Sequence, residues 1–171
     1  MIKDVESITV NRSASEVFDF LANPVNVPQW SGIVTDVEPL PQGKRVEAGT
    51  KLRANLRIMG IKMTAEGEVS EIDHRNRRAV LTSQLPEGGT VETLLTVEGL
   101  TGVSIVTLEA RISPPDWLVN TGLSNALMSR AIEAVTHTSL DNIRNILEGK
   151  EESKLTEALA FATRNLRTER I

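Results

Sequence analysis

The chain has 171 residues, 40% of them hydrophobic, and a net charge of −4. That length and apolar content predict one domain with a real core, and the acidic balance argues against a nucleic-acid or anionic-membrane surface as the main partner. Cysteine is absent, which excludes disulfides and thiolate chemistry and is compatible with a reducing cytoplasm. No basic segment followed by an apolar run opens the chain, and no window approaches a membrane span, so a soluble cytoplasmic protein is the expectation. Aromatic residues make up only 3% and tyrosine is missing, which leaves little for a site built on stacking or on a phenol.

Residues 5–10 alternate weakly through Val5, Ile8 and Val10 and read as a first strand. Ser13-Ala14-Ser15-Glu16 follows as a capping box, in which the Ser13 hydroxyl takes a free helix amide and Glu16 reaches back. Val17, Phe20 and Leu21 supply the buried face of the short helix that it opens. Asn23-Pro24 ends that helix, and Pro28 with Gly32 confines Trp30 to a turn or a second short helix. A strand over residues 33–40 is ended by Pro39, Pro41 and Gly43.

The next hairpin can be registered by its charges. Leu52, Ala54, Leu56 and Ile58 fall on one face of residues 50–58, with Lys51, Arg53, Asn55 and Arg57 on the other. A turn at Met59-Gly60 sets Arg53 against Glu66, Lys51 against Glu68 and Asn55 against Thr64. Leu56 then meets Met63 and Ala54 meets Ala65, and only Arg57 opposite Lys62 is discordant. Such pairs contribute roughly 0.2–1 kcal/mol each, enough to choose a register. Further strands at 78–85, 90–97 and 103–112 are joined by short Gly-rich turns, which implies an antiparallel meander. Their inward residues are Leu81 and Ser83, then Val91, Thr93 and Leu95, then Val106, Leu108 and Ala110.

Pro114 and Pro115 stand ahead of a long predicted helix running from Asp116 to a stop at Gly149. Met128, Ile132, Val135, Ser139, Ile143 and Ile146 form its stripe, which requires a large apolar partner such as the preceding sheet. Residues 1–149 therefore read as one domain and 150–171 as a charged tail. Leu155, Leu159, Ala162 and Leu166 give that tail an amphipathic helix over 153–167. It would dock on its own domain or fray in solvent, or contact a second copy in a homodimer or another protein.

The order of strand, two short helices, antiparallel strands and one long C-terminal helix resembles the helix-grip fold of the SRPBCC superfamily (the START, Bet v 1 and polyketide cyclase group). Asn11 to Leu21 is similar to the family's opening, Asn23-Pro24 through Trp30 to its helix–loop segment, and Gly49-Thr50, Glu68-Val69 and Asp73…Arg77-Arg78 to the polyketide cyclase/dehydrase-like branch. The resemblance covers about residues 1–148. It implies an α+β fold in which a curved antiparallel sheet wraps a long helix around a cavity for a hydrophobic small molecule, lipid or polyketide-like. On that basis the expected ligand-binding residues are Trp30, Leu52, Leu56, Ile58, Met63, Leu81, Ser83, Thr93, Leu95, Leu108, Trp117, Met128, Ile132 and Val135. The aliphatic members of that set would equally make a filled core, and Trp30 and Trp117 would sit near the mouth. Met59, Met63 and Met128 add side chains that adapt to an irregular ligand.

Catalytic groups are sparse. His74 and His137 are the only histidines and stand apart from any Cys or second His, so neither a metal nor a cofactor is expected. No Gly-x-Ser-x-Gly elbow and no phosphate-cradling glycine loop is present. Glu66, Glu68, Glu92 and Glu109 fall on outer faces, Arg130 and Glu133 lie off the helical stripe, and Ser83 and Thr93 suit ligand orientation better than proton transfer. Binding or carriage of a hydrophobic molecule is thus the first expectation. A cyclase- or dehydratase-like enzyme is the second, and an interaction module acting through the tail is the third.

Overall fold

A computed structural model of the chain describes residues 1–43 and 45–149; the tail helix expected at 153–167 lies outside the described residues. The chain opens with β1 (Ile2–Val10), α1 (Ala14–Leu21) and α2 (Val27–Trp30), the two helices joined through a 3-10 turn at Pro24–Asn26. Six strands follow: β2 (Val34–Leu40), β3 (Lys51–Ile58), β4 (Ile61–Asp73), β5 (Arg78–Gln84), β6 (Thr90–Leu100) and β7 (Val103–Ser113). Helices α3 (Asp116–Val119) and α4 (Asn125–Glu148) complete the fold. All seven strands belong to one antiparallel sheet in the order β1-β7-β6-β5-β4-β3-β2. The α1–α2 segment carries the chain from one edge of the sheet to the other, and α4 lies across the inner face. This is the α+β helix-grip architecture expected from the sequence.

The β3–β4 hairpin has the register that its charges dictate. Arg53 opposes Glu66, Lys51 opposes Glu68, Leu56 opposes Met63, and the like-charged Arg57 and Lys62 face each other. Lys51 closes an ion pair with Glu68, and Arg53 reaches Glu38 on β2 at 3.5 Å. Met59 and Gly60 both have positive φ, 51° and 81°, the backbone that a tight two-residue hairpin turn requires.

Two local expectations are corrected. Strand β1 begins at Ile2, and Val5 points outward while Ile8 and Val10 are buried. In α1 the interior place belongs to Phe18, 1% exposed, with Phe20 only half-buried. The Ser13 cap holds: its hydroxyl accepts from the Glu16 amide at 3.4 Å.

The larger correction concerns the C-terminal helix. It does not run unbroken from Asp116. Helix α3 stops at Val119, Gly122 turns the chain with φ 76°, and Ser124 caps a new helix by accepting from the Leu127 amide at 3.2 Å. A positive φ is costly for any residue with a Cβ, so glycine at this position permits the break, and the Ser124 cap then favours a fresh start. Gly149 ends α4 in a left-handed conformation, as its position in the sequence suggests.

The main core lies at one end of the sheet. Val10, Val17, Phe18, Val97 and Val106 pack with Leu140 and Ile143 from the second half of α4. Full burial of such side chains stabilises by about 1.5–3 kcal/mol each. Ser104, fully buried on β7, has a hydroxyl with no partner among the described residues. Replacing Ser104 by Ala should therefore leave stability unchanged or raise it by about 1 kcal/mol; a clear loss in urea denaturation would show that the hydroxyl is bonded in solution.

Candidate functional site

Only the second half of α4 is packed into that core. Its first half stands away from the sheet, and Met128, Ile132 and Val135 look onto open space of about 270 Å³. One wall is the concave face of the sheet, with Leu56 and Ile58 of β3, Leu81 and Ser83 of β5, Thr93 and Leu95 of β6 and Leu108 of β7. The opposite wall is α4. Leu21, Pro24, Val27 and Trp30 close one side, and Pro114, Pro115 and Leu118 close another.

Hydrogen bonds to α4 hold the Trp30 side in place. The Gly32 amide donates to the Ser139 hydroxyl at 3.0 Å, and Asn142 donates to the Trp30 carbonyl at 3.1 Å. A Cβ at Gly32 would come within 3.3 Å of the Val135 carbonyl oxygen, so glycine permits this close approach. The Ser31 hydroxyl accepts from the amides of Ile33 and Val34, which fixes the entry into β2. On the other side, Pro115 packs so tightly on Gly89 that a Cβ there would lie 2.7 Å from the proline ring.

The structure brings together Trp30, Leu56, Ile58, Leu81, Ser83, Thr93, Leu95, Leu108, Met128, Ile132 and Val135. Three expected residues stand outside. Leu52 is buried at the start of β3, where its cross-strand neighbours are Gly67 and Pro39. Met63 packs on the small cluster of Leu56, Ala65 and Leu85. Trp117 belongs to α3 and is half-buried; the helix break directs its neighbours Pro115 and Leu118, rather than Trp117, to the cavity. Sequence reasoning missed the α1–α2 contribution of Leu21, Pro24 and Val27. Its signal was the run of apolar residues flanking Asn23-Pro24, which exceeds what an exposed connection needs.

Polar groups in the wall are few and mostly committed. Thr136 donates to the Ile132 carbonyl at 3.1 Å and Ser139 to the Val135 carbonyl at 2.8 Å. Trp30 is 7% exposed, and its indole N–H has no partner among the described residues. Glu109 is the one ionisable residue among the described residues of the wall, and its carboxylate is engaged elsewhere, by Lys3 at 3.1 Å and Arg111 at 2.7 Å. The hydrogen bond from Lys3, joined by that from Arg111, holds its carboxyl below the ordinary glutamate range against the opposing effect of burial. The histidines lie apart from the cavity: His74 meets the Phe18 ring edge-on at 5.5 Å, and His137 is exposed beside Glu6 and Asp141. No group of three or more His, Cys, Asp or Glu suited to a metal ion occurs among the described residues.

A family model described as polyketide cyclase/dehydrase and lipid transport matches residues 1–148. The chain belongs to this family. Solved structures share its fold. A START superfamily protein from Mycobacterium smegmatis aligns with a TM-score of 0.69 at 11% identity, covering 86% of this chain and 97% of that one. The Zhui aromatase/cyclase from Streptomyces sp. R1128 aligns at 0.63 and 16% identity, covering 85% and 93%. The di-domain aromatase/cyclase BexL of the BE-7585A biosynthetic pathway aligns at 0.64 and 19% identity over 86% of this chain and 47% of BexL. The chain thus spans about half the length of BexL. No curated protein matches by sequence. For this member of the polyketide cyclase/dehydrase and lipid transport family, no helix among the described residues is long and apolar enough to cross a membrane.

The engagement of Glu109 has a pH signature. Its pKa is depressed in the folded state, so its stabilisation is complete above the unfolded value near 4.5 and is lost as pH falls through the folded value. Replacement of Glu109 by Gln should lower Tm at neutral pH, and the gap to the parent should close as the solution is acidified. A gap that stays constant down the titration would contradict this.

Proposed function

We propose that this protein binds and carries a hydrophobic small molecule, lipid or polyketide-like, in the cavity between the sheet and the first half of α4, without transforming it. The observation that carries this reading is the character of the wall. Space of about 270 Å³ is bounded almost wholly by aliphatic side chains. Apolar walls favour an apolar guest, and an adaptable side chain, Met128, lies within the lining. General acid–base catalysis needs an ionisable group within reach of the substrate. The one ionisable residue in the wall, Glu109, alternates with Leu108 and Ala110 on β7 and turns its carboxylate to Lys3 and Arg111 on the outer face. That distribution favours carriage over cyclisation or dehydration.

The enzymatic reading retains one specific support, the family's inclusion of polyketide cyclases and dehydrases. The test is native mass spectrometry of freshly purified protein, followed by solvent extraction of anything released. A stoichiometric apolar molecule recovered unchanged is the expected result. Turnover of a polyketide-like compound would move the protein to the enzymatic class. Ala131, a wall residue on α4, offers a matched control. Ala131→Phe should lower the affinity of a neutral fluorescent probe by about tenfold or more, because the added ring occupies the guest's volume. Unchanged binding in a folded variant would place the guest elsewhere.

A further inference from the structure

We propose that the cavity selects electrically neutral ligands and rejects carboxylates of the same shape, with the hydroxyls of Ser83 and Thr93 meeting the ligand's polar atom. This rests on the carrier reading of the same cavity and adds the chemical class of its guest.

The first observation is the absence of a counter-charge. Among the described residues of the wall none is Lys, Arg or His, and the single ionisable one, Glu109, is an acid. An ionised carboxylate moved from water into this space loses its hydration and meets no cation. Buried charges are tolerated when paired, and here pairing is unavailable. Lys3 and Arg111, the cations nearest in chemistry, are bound to Glu109, and Arg111 also reaches Glu92 at 2.9 Å. A fatty acid would therefore enter as the neutral acid, and its affinity would rise as pH falls.

The second observation is the polar complement of the sheet wall. The hydroxyls of Ser83 and Thr93 belong to residues that line the space, and they make no hydrogen bond among the described residues. Both are neutral groups that donate or accept, so each can meet a guest's carbonyl or hydroxyl oxygen without a charge. The recognition chemistry is two rotatable hydroxyls in an aliphatic surround, which suits a ketone, ester, amide or alcohol.

Decanamide and decanoate differ in charge and hardly in shape, and they test the inference directly. Displacement of bound N-phenylnaphthylamine from the full chain measures both. Decanamide should bind about tenfold tighter or more at about pH 8, and decanoate should gain on it as the pH is lowered towards about 5.5. Thr93→Val keeps the shape and deletes the hydroxyl. It should weaken decanamide severalfold more than it weakens the probe. Equal binding of decanamide and decanoate at the higher pH would overturn the charge selection while leaving carriage intact. A Thr93→Val variant that binds both decanamide and the probe as the parent does would overturn the role of that hydroxyl. If neither the probe nor decanamide enters the parent protein, the carrier reading itself fails, and the inference with it.

Discussion

Everything in this structure depends on how a single helix divides its labour. The second half of α4 inserts Leu140 and Ile143 among Val10, Val17, Phe18 and Val106, and that contact closes the main core. The bonds from Gly32 to Ser139 and from Asn142 to Trp30 fasten the α1–α2 segment near the middle of the helix. A helix fixed so firmly at one end need not touch the sheet at the other. Met128, Ile132 and Val135 can face space because the energy that holds the helix comes from elsewhere.

The same division explains what kind of chemistry the space can support. Ion-paired ladders such as Glu92–Arg111–Glu109–Lys3 and Arg53–Glu38 stand on the outer face of the sheet. Strand alternation sends those side chains away from the helix and sends Leu81, Ser83, Thr93, Leu95 and Leu108 towards it. The wall of the space is thereby low in charge.

Much of the fold was legible in the sequence because it is written in local signals. The β3–β4 register followed from opposite charges at Lys51, Arg53, Glu66 and Glu68, and the Ser13 cap followed from its spacing to Glu16. The break before α4 was equally local, with Gly122 and Ser124 in plain view, yet the long apolar stripe concealed it. A stripe reports which face is buried and is silent on where a helix starts. The cavity was harder. Leu52 and Leu56 occupy equivalent positions in an alternating strand, yet one is packed tight and the other lines space. Whether an inward residue meets a neighbour or a gap depends on how far α4 stands off, and no pattern along one strand encodes that distance. The indole of Trp30 shows the same limit, since a missing partner is a property of three dimensions.

The break at Gly122 separates two things that a continuous helix would have coupled. With α3 detached, the Pro114–Leu118 wall is carried by a short piece seated on Gly89 rather than by α4. The residues that shape the guest space on α4 also lie outside the cluster that closes the core. A lineage that altered Met128, Ile132 or Leu118 would thus change the shape of the space while leaving the main packed core almost untouched. The molecule is arranged as a stable frame with an interchangeable lining, and drift in ligand choice is the inheritance such a frame permits.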